Sequence, residues 1–144
     1  CELLVSANPG QPPRALRKVA SGGELARISL AIEVATLGKD TIGTMVFDEV
    51  DTGIGGAVAE VVGQKLRALG GQRQVLCVTH LPQIATFADH HFLIEKKTVQ
   101  SKTRTTVRQV KDEERTEEIA RMLSGAKLTE TSRKHAEQMI KANA

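Results

Sequence analysis

The sequence predicts an α/β fold with a parallel-sheet core, flanking helices and an edge β-hairpin. Three observations carry this expectation. Met45, Val46 and Phe47 form a short apolar run, and Val75, Leu76, Cys77 and Val78 form a second. Between them lies a helical pattern at 57–69, with Val58, Val61, Val62 and Leu66 on its apolar side. A strand, a helix and a strand in succession predict a parallel pair with a right-handed crossover. Neither run alternates with polar residues, so both strands should be buried, the first on both faces under covering helices. Third, alternation from 103 to 110 suggests a half-exposed strand, which would pair with the apolar stretch His91, Phe92, Leu93, Ile94 and Glu95 as an antiparallel hairpin at the sheet edge.

The remaining elements follow in order. Leu3, Leu4 and Val5 suggest a short strand. Asn8, Pro9, Gly10, Pro12 and Pro13 make a loop that is neither helix nor central strand. Ser21 and Glu24 have the spacing of a capping box. The helix they open carries Leu25, Ile28, Leu30, Ala31, Ile32, Val34, Ala35 and Leu37, is apolar on most sides and should be well buried, with Gly38 as its stop. Thr52, Gly53, Ile54, Gly55 and Gly56 form a flexible loop, and Gly70 and Gly71 end the next helix. Pro82 opens a short helix through Phe87. Asp112 is expected to cap a helix bearing Ile119, Ala120, Met122 and Leu123, closed by Ser124 and Gly125. Thr129 or Thr131 caps a last helix with Ala136, Met139 and Ile140.

Composition narrows the class. The chain has 144 residues, enough for one domain, 1–144, with a real core. It begins at Cys1 rather than Met, so we expect a piece of a longer protein. With no Trp, no Tyr and three Phe, stacking platforms for single-stranded nucleic acid are not expected. A net charge of +3 permits an anionic partner without demanding one. Cys1 and Cys77 are distant in sequence and suggest no disulfide framework, which fits a reducing compartment. No apolar run reaches the roughly 18 residues of a membrane span, and the start shows no signal-peptide pattern. Residues 96–111 hold Lys96, Lys97, Lys102, Arg104, Arg108 and Lys111 with no acid among them. Such a run either guards an open sheet edge or touches a phosphate backbone.

The chemistry centres on Asp48 and Glu49, directly after the first apolar run. Two adjacent carboxylates are costly to bury without positive charge beside them. In open α/β sheets the ligand crevice lies at the carboxyl ends of the strands, where these two would sit. An apolar strand ending in Asp-Glu reads as a Walker B element, with Asp48 serving Mg2+ through its water shell and Glu49 orienting and deprotonating the attacking water. The alternative is a strand followed by an acidic turn. Gly22 and Gly23 remove side chains from the first turn after the Ser21 cap, leaving bare N–H groups and a positive dipole end for an anion such as phosphate. His80 follows the second strand and should emerge near Glu49, because parallel strands end at the same edge. A histidine there is either structural or a sensor of a γ-phosphate. A phosphate-cradling Gly-x-x-x-x-Gly-Lys-Ser/Thr loop is absent: Gly38-Lys39 is followed by Asp40, and Glu33 stands five before Gly38.

A Ser-Gly-Gly-Glu helix start at 21–24, then Asp48-Glu49, then a strand ending in His80 resembles the carboxyl-terminal lobe of an ABC-type, P-loop NTPase-like ATPase head. In that family the P-loop lies far upstream. Glu24 stands where transporters usually carry Gln, Val50-Asp51 lacks the Pro that commonly follows in transporters, and residues 78–85 are typical of the chromosome-maintenance (SMC-like) branch. The runs 18–27 and 47–56 resemble the RecN family of bacterial DNA repair proteins, and the likeness covers nearly the whole chain. The resemblance implies that Ser21, Gly22 and Gly23 form a signature closing on the γ-phosphate of ATP bound to the opposite head. It implies that Asp48 serves Mg2+, that Glu49 is the catalytic base, that Asp51 lies in the loop joining two heads, and that His80 is the switch histidine. The implied partners are a second head in a homodimer, the amino-terminal half of the same head, and DNA through the full-length protein. The implied role is recombinational repair of double-strand breaks by a cytoplasmic, nucleoid-associated ATPase with no membrane partner, the fragment alone being inactive. The competing readings are a head fragment of another SMC-like ATPase and a non-catalytic DNA-binding or dimerisation module.

Overall fold

The computed structural model describes residues 2–6, 9–18, 21–36, 42–99, 102–125 and 127–144. Two short strands, β1 (Leu4–Val5) and β2 (Arg14–Ala15), pair antiparallel around the proline-rich loop, and a 3-10 turn, Leu16–Lys18, follows. Helix α1 spans Gly22–Ala35, strand β3 Thr44–Phe47, helix α2 Gly56–Gly70 and strand β4 Gln74–Cys77. A short helix α3 (Pro82–Ala85) leads to β5 (His91–Val99) and β6 (Lys102–Val110). Helices α4 (Asp112–Ser124) and α5 (Glu130–Ala142) complete the described chain. The expected stop at Gly38 lies outside the described residues, and α1 ends with Thr36 as its C-cap.

Strands β3 and β4 form the expected parallel pair, in register from Thr44↔Gln74 to Phe47↔Cys77. The core sits on one side of them. Met45, Phe47, Val75 and Cys77 face α1 and α2 and pack with Leu30, Val50, Ala59, Val62, Leu66, Leu69 and Ile84. Each large side chain buried there contributes roughly 1.5–3 kcal/mol. The opposite face departs from expectation: Val46 is 67% exposed, Leu76 47% and Val78 52%. An unbroken apolar run predicts burial on both faces, but no element among the described residues covers this side. For the same reason α1 is only partly buried, with Leu30 inside and Leu25 and Ile32 exposed. On α2 the buried stripe is Ala59, Val62, Gly63, Leu66 and Leu69, which leaves Val58 and Val61 outside. That spacing follows the 3.6-residue period of a single packed face.

The hairpin forms over the full span His91↔Val110 to Val99↔Lys102, but it is a separate two-stranded sheet and not an edge of the parallel pair. It leads into a second core of Ala85, Ile119, Ala120 and Ala136, with Met122, Leu123 and Ile140 against it. Asp112 does not cap α4. Lys111 holds the cap position without a side-chain bond, while Asp112, Glu113 and Glu114 occupy the first turn, where negative charge offsets the helix dipole. Between the two candidate caps of α5, Thr129 takes the position, exchanging bonds with Ser132. Arg115 Nη2 donates to the carbonyls of Thr86 at 3.2 Å and Ala88 at 2.7 Å, tying α4 to the end of α3.

Helices α2 and α3 meet at Gly63, where a β-carbon would overlap the Phe87 ring and stand 3.2 Å from the Gln83 carbonyl. Phe87 is 8% exposed, so its ring has little room to swing away. Gly63→Ala gains about 1 kcal/mol of helix propensity but overpacks this contact, and a net loss of about 1–3 kcal/mol is expected. Urea unfolding measures it; an unchanged or raised midpoint would contradict the close approach of the two helices.

Candidate active site

The parallel register delivers the acidic pair to the carboxyl edge. The Val78 N–H donates to the Phe47 carbonyl at 2.9 Å, so the chain beyond β4 runs beside Asp48 and Glu49. Both side chains are exposed. Asp48 Oδ1 accepts from the Glu49 N–H at 2.9 Å. Glu49 itself has φ 60°, the left-handed region, which costs a non-glycine residue roughly 1–3 kcal/mol.

This backbone brings Glu49 to the start of α1. A β-carbon on Gly22 would overlap Glu49 Oε2, so the absent side chain is what admits the carboxylate. The cap is as the spacing predicts: Glu24 N–H donates to Ser21 Oγ at 3.4 Å, and Ser21 N–H to Glu24 Oε2 at 2.8 Å. The helix start that the sequence opens to an anion thus has an anion beside it, the Glu49 side chain, favoured there by the helix dipole. Gly23 is buried, and a β-carbon there would come within 3.0 Å of Thr52.

The turn after Glu49 is held from two sides. Arg27 Nη1, one turn into α1, donates to the carbonyls of Val50 at 3.2 Å and Thr52 at 2.9 Å. From β4, Thr79 Oγ1 donates to Asp51 Oδ2 at 2.7 Å, the His80 N–H donates to the same oxygen at 2.8 Å, and His80 Nδ1 lies 2.9 Å from it. Asp51 is 4% exposed, whereas the His80 side chain is largely exposed. His80 therefore reaches the carboxyl edge as expected, but its ring is fixed by Asp51. A carboxylate on Nδ1 leaves Nε2 as the nitrogen free to act. Burial would raise the Asp51 carboxyl, but the Thr79 hydroxyl, the His80 N–H and the His80 charge outweigh it and hold it below the ordinary 3.8. Cys77 lies just behind; burial, with Asp51 and Asp48 nearby, pushes its thiol up to about 12, so it stays protonated and unreactive.

The sequence assigns no role to Arg27 or Thr79, although they lie in the runs 18–27 and 78–85. Arg27 sits six residues beyond the cap and bonds only backbone carbonyls, which carry no side-chain signature. Thr79 lies in the 78–85 run, but a threonine beside a histidine carries no sign of which carboxylate it bonds.

Among the described residues no group of three or more His, Cys, Asp or Glu is arranged to hold a metal ion. Asp48 alone fits a cation that keeps most of its water, as Mg2+ does when one carboxylate and substrate phosphates complete its shell. No described helix is long and apolar enough to cross a membrane.

The Asp51 cluster gives a signed pH dependence. A depressed folded pKa means that its stabilisation is complete above the unfolded value and is lost as pH falls through the lower folded value. Asp51→Asn should cost about 1.5–3 kcal/mol near neutrality, the range for hydrogen bonds to a charged group. The difference from the parent should shrink as pH drops below 3.8. Parallel urea titrations at several pH values measure this; a deficit independent of pH would mean that the charge of Asp51 is not what the turn depends on.

No protein-family model matches the chain. It is 57% identical over 139 residues to the DNA repair protein RecN of Xylella fastidiosa strain 9a5c, covering 96% of this chain and 25% of that protein. RecN of Treponema pallidum is 45% identical over 143 residues, covering 99% and 25%. RecN of Bacillus subtilis is 41% identical over 140 residues, covering 97% and 24%. A solved structure from work on the structural biochemistry of ATP-driven dimerization and DNA-stimulated activation of SMC ATPases superposes with a TM-score of 0.54 at 18% identity, over 86% of this chain and 81% of that one. The chain therefore shares the mixed α/β fold of that structure. The chain spans about a quarter of the length of the relatives it matches. Over nearly all of its own length, the chain is similar to the RecN DNA repair proteins.

Proposed function

We propose that the chain is the carboxyl-terminal lobe of a RecN-like ATPase head, which binds and hydrolyses ATP between two dimerised heads during recombinational repair of DNA double-strand breaks. One observation carries the reading: Asp48 and Glu49 leave a parallel strand pair at the edge where α1 begins with two glycines and where Asp51 fixes His80. The division of labour follows from their chemistry. Glu49 is an exposed carboxylate able to take a proton from water. In its protonated form His80 donates from Nε2 to a phosphate oxygen while its Nδ1–H stays on Asp51. Asp48 would serve Mg2+, which supplies charge neutralisation on the phosphates. Asp51 shapes the loop that joins the two heads, anchoring it from within. The phosphate-cradling loop and the covering of the open β-face are assigned to the amino-terminal half of the head. The 144 residues alone should not turn over ATP.

In the complete protein, Glu49→Gln is expected to retain ATP binding and lower hydrolysis on the order of 10²–10⁴-fold, the usual effect of removing a positioned base. Asp48→Asn should instead weaken Mg2+-dependent nucleotide binding. ATPase rates and nucleotide affinities measure both; hydrolysis by Glu49→Gln at the parental rate would place the base elsewhere.

A second reading has its own support. Because Glu49 lies against Gly22 of the same chain, the glycine-rich start and the base could serve one phosphate in cis. Mixing Ser21→Arg with Asp48→Ala separates the two. If Ser21 acts across the dimer, one site of a mixed dimer collects both lesions and the other is intact, so part of the ATPase activity returns. In cis every site carries a lesion and mixing restores nothing. ATPase rate against mixing ratio, with subunit exchange verified, is the measurement; full exchange without recovery counts against the trans role of Ser21 or against independent turnover of the two sites.

A further inference from the structure

The hairpin has two chemically different faces. Strict pairing from His91↔Val110 to Val99↔Lys102 puts Leu93, Glu95, Lys97, Arg108, Thr106, Arg104 and Lys102 on one face. Phe92, Ile94, Lys96, Val107, Thr105 and Thr103 fall on the other. On the first face the acids are spoken for near the base: Arg108 Nε lies 3.8 Å from Glu95, and Arg108 also pairs with Glu114. Farther out, Lys97 stands directly opposite Arg104, and Lys102 is two residues along the same strand. All three are exposed, and among the described residues none has an acidic partner.

Like charges directly opposite each other in a ladder destabilise it. A guard against edge pairing needs charge along the edge, but it does not need two cations facing each other with a third beside them. An anion between them would relieve the repulsion. Spacing favours a polyanion over a single ion, since two residues along a strand advance about 6.8 Å. The face has no Phe, Tyr or Trp, and its one ring, His91, lies at the base away from the three cations; the exposed ring of Phe92 is on the opposite face. Stacking on unpaired bases, the usual support for single strands, is therefore missing.

We propose that Lys97, Lys102 and Arg104 form a contact for the phosphate backbone of duplex nucleic acid, without base readout. The inference extends the reading above by placing a DNA contact on this lobe. It does not depend on ATP turnover, so binding is measured without nucleotide, and its failure is distinct from failure of the Glu49 test.

The probe is a duplex DNA of mixed sequence, titrated with the complete protein at several salt concentrations. In the triple variant Lys97→Gln, Lys102→Gln, Arg104→Gln, the slope of log affinity against log salt should fall by about 2.7, at roughly 0.9 per phosphate contact. Affinity should fall on the order of tenfold or more, equally for unrelated sequences. The charge-keeping triple Lys97→Arg, Lys102→Arg, Arg104→Lys should bind like the parent. The glutamine variant should unfold at an unchanged or higher urea midpoint, since it loses a like-charge pair. An unchanged salt slope in the glutamine variant overturns the proposal, as does an equal loss in the charge-keeping variant. Retained duplex binding with lost binding to poly-glutamate also overturns it, and assigns the face to an acidic protein.

Discussion

One oxygen atom organises the carboxyl edge of this fold. Asp51 Oδ2 receives the Thr79 hydroxyl and the His80 N–H, with the His80 ring nitrogen at 2.9 Å. Two segments that leave adjacent parallel strands are thereby joined just beyond the last ladder bond. Without that junction, the turn carrying Asp48 and Glu49 and the segment carrying His80 would be independent loops. Buried as it is, the carboxylate needs all its donors, so the arrangement is close to all-or-none.

A second clamp completes the first. Arg27 reaches from α1 to the carbonyls of Val50 and Thr52, on either side of Asp51. The glycine-rich helix start, the acidic turn and the histidine therefore belong to one mechanically continuous unit. A displacement of α1 would be passed through Arg27 to the turn and through Asp51 to His80. On the proposed function, that continuity lets closure at the helix start be felt at the base and at the histidine.

Much of this was legible in the sequence, and the exceptions share a cause. The parallel pair, the Ser21–Glu24 cap and the arrival of His80 at the acidic edge each follow from local spacing and from the geometry of βαβ units. What could not be read depends on partners distant in the chain. Arg27 binds carbonyls 23 and 25 residues away, and any residue supplies a carbonyl. The exposure of Val46, Leu76 and Val78 misled the reading in the other direction, because an apolar run records the need for cover and not whether this chain supplies it. The hairpin was recognisable from alternation, but alternation does not say which sheet a strand joins. Asp112 looked like a cap because acids favour helix starts; the same preference is met one position later, in the first turn.

The backbone at Glu49 has an evolutionary consequence. Its left-handed φ of 60° is one that glycine adopts freely and asparagine tolerates. Folding alone would thus favour replacing this glutamate, and relaxed lineages should drift toward glycine there before the scaffold decays. On the proposed function, a glutamate at this position serves the chemistry against the grain of its own main chain. If Glu49 is the base proposed above, the identity of residue 49 is a sensitive gauge of whether a descendant of this fold still works or merely folds.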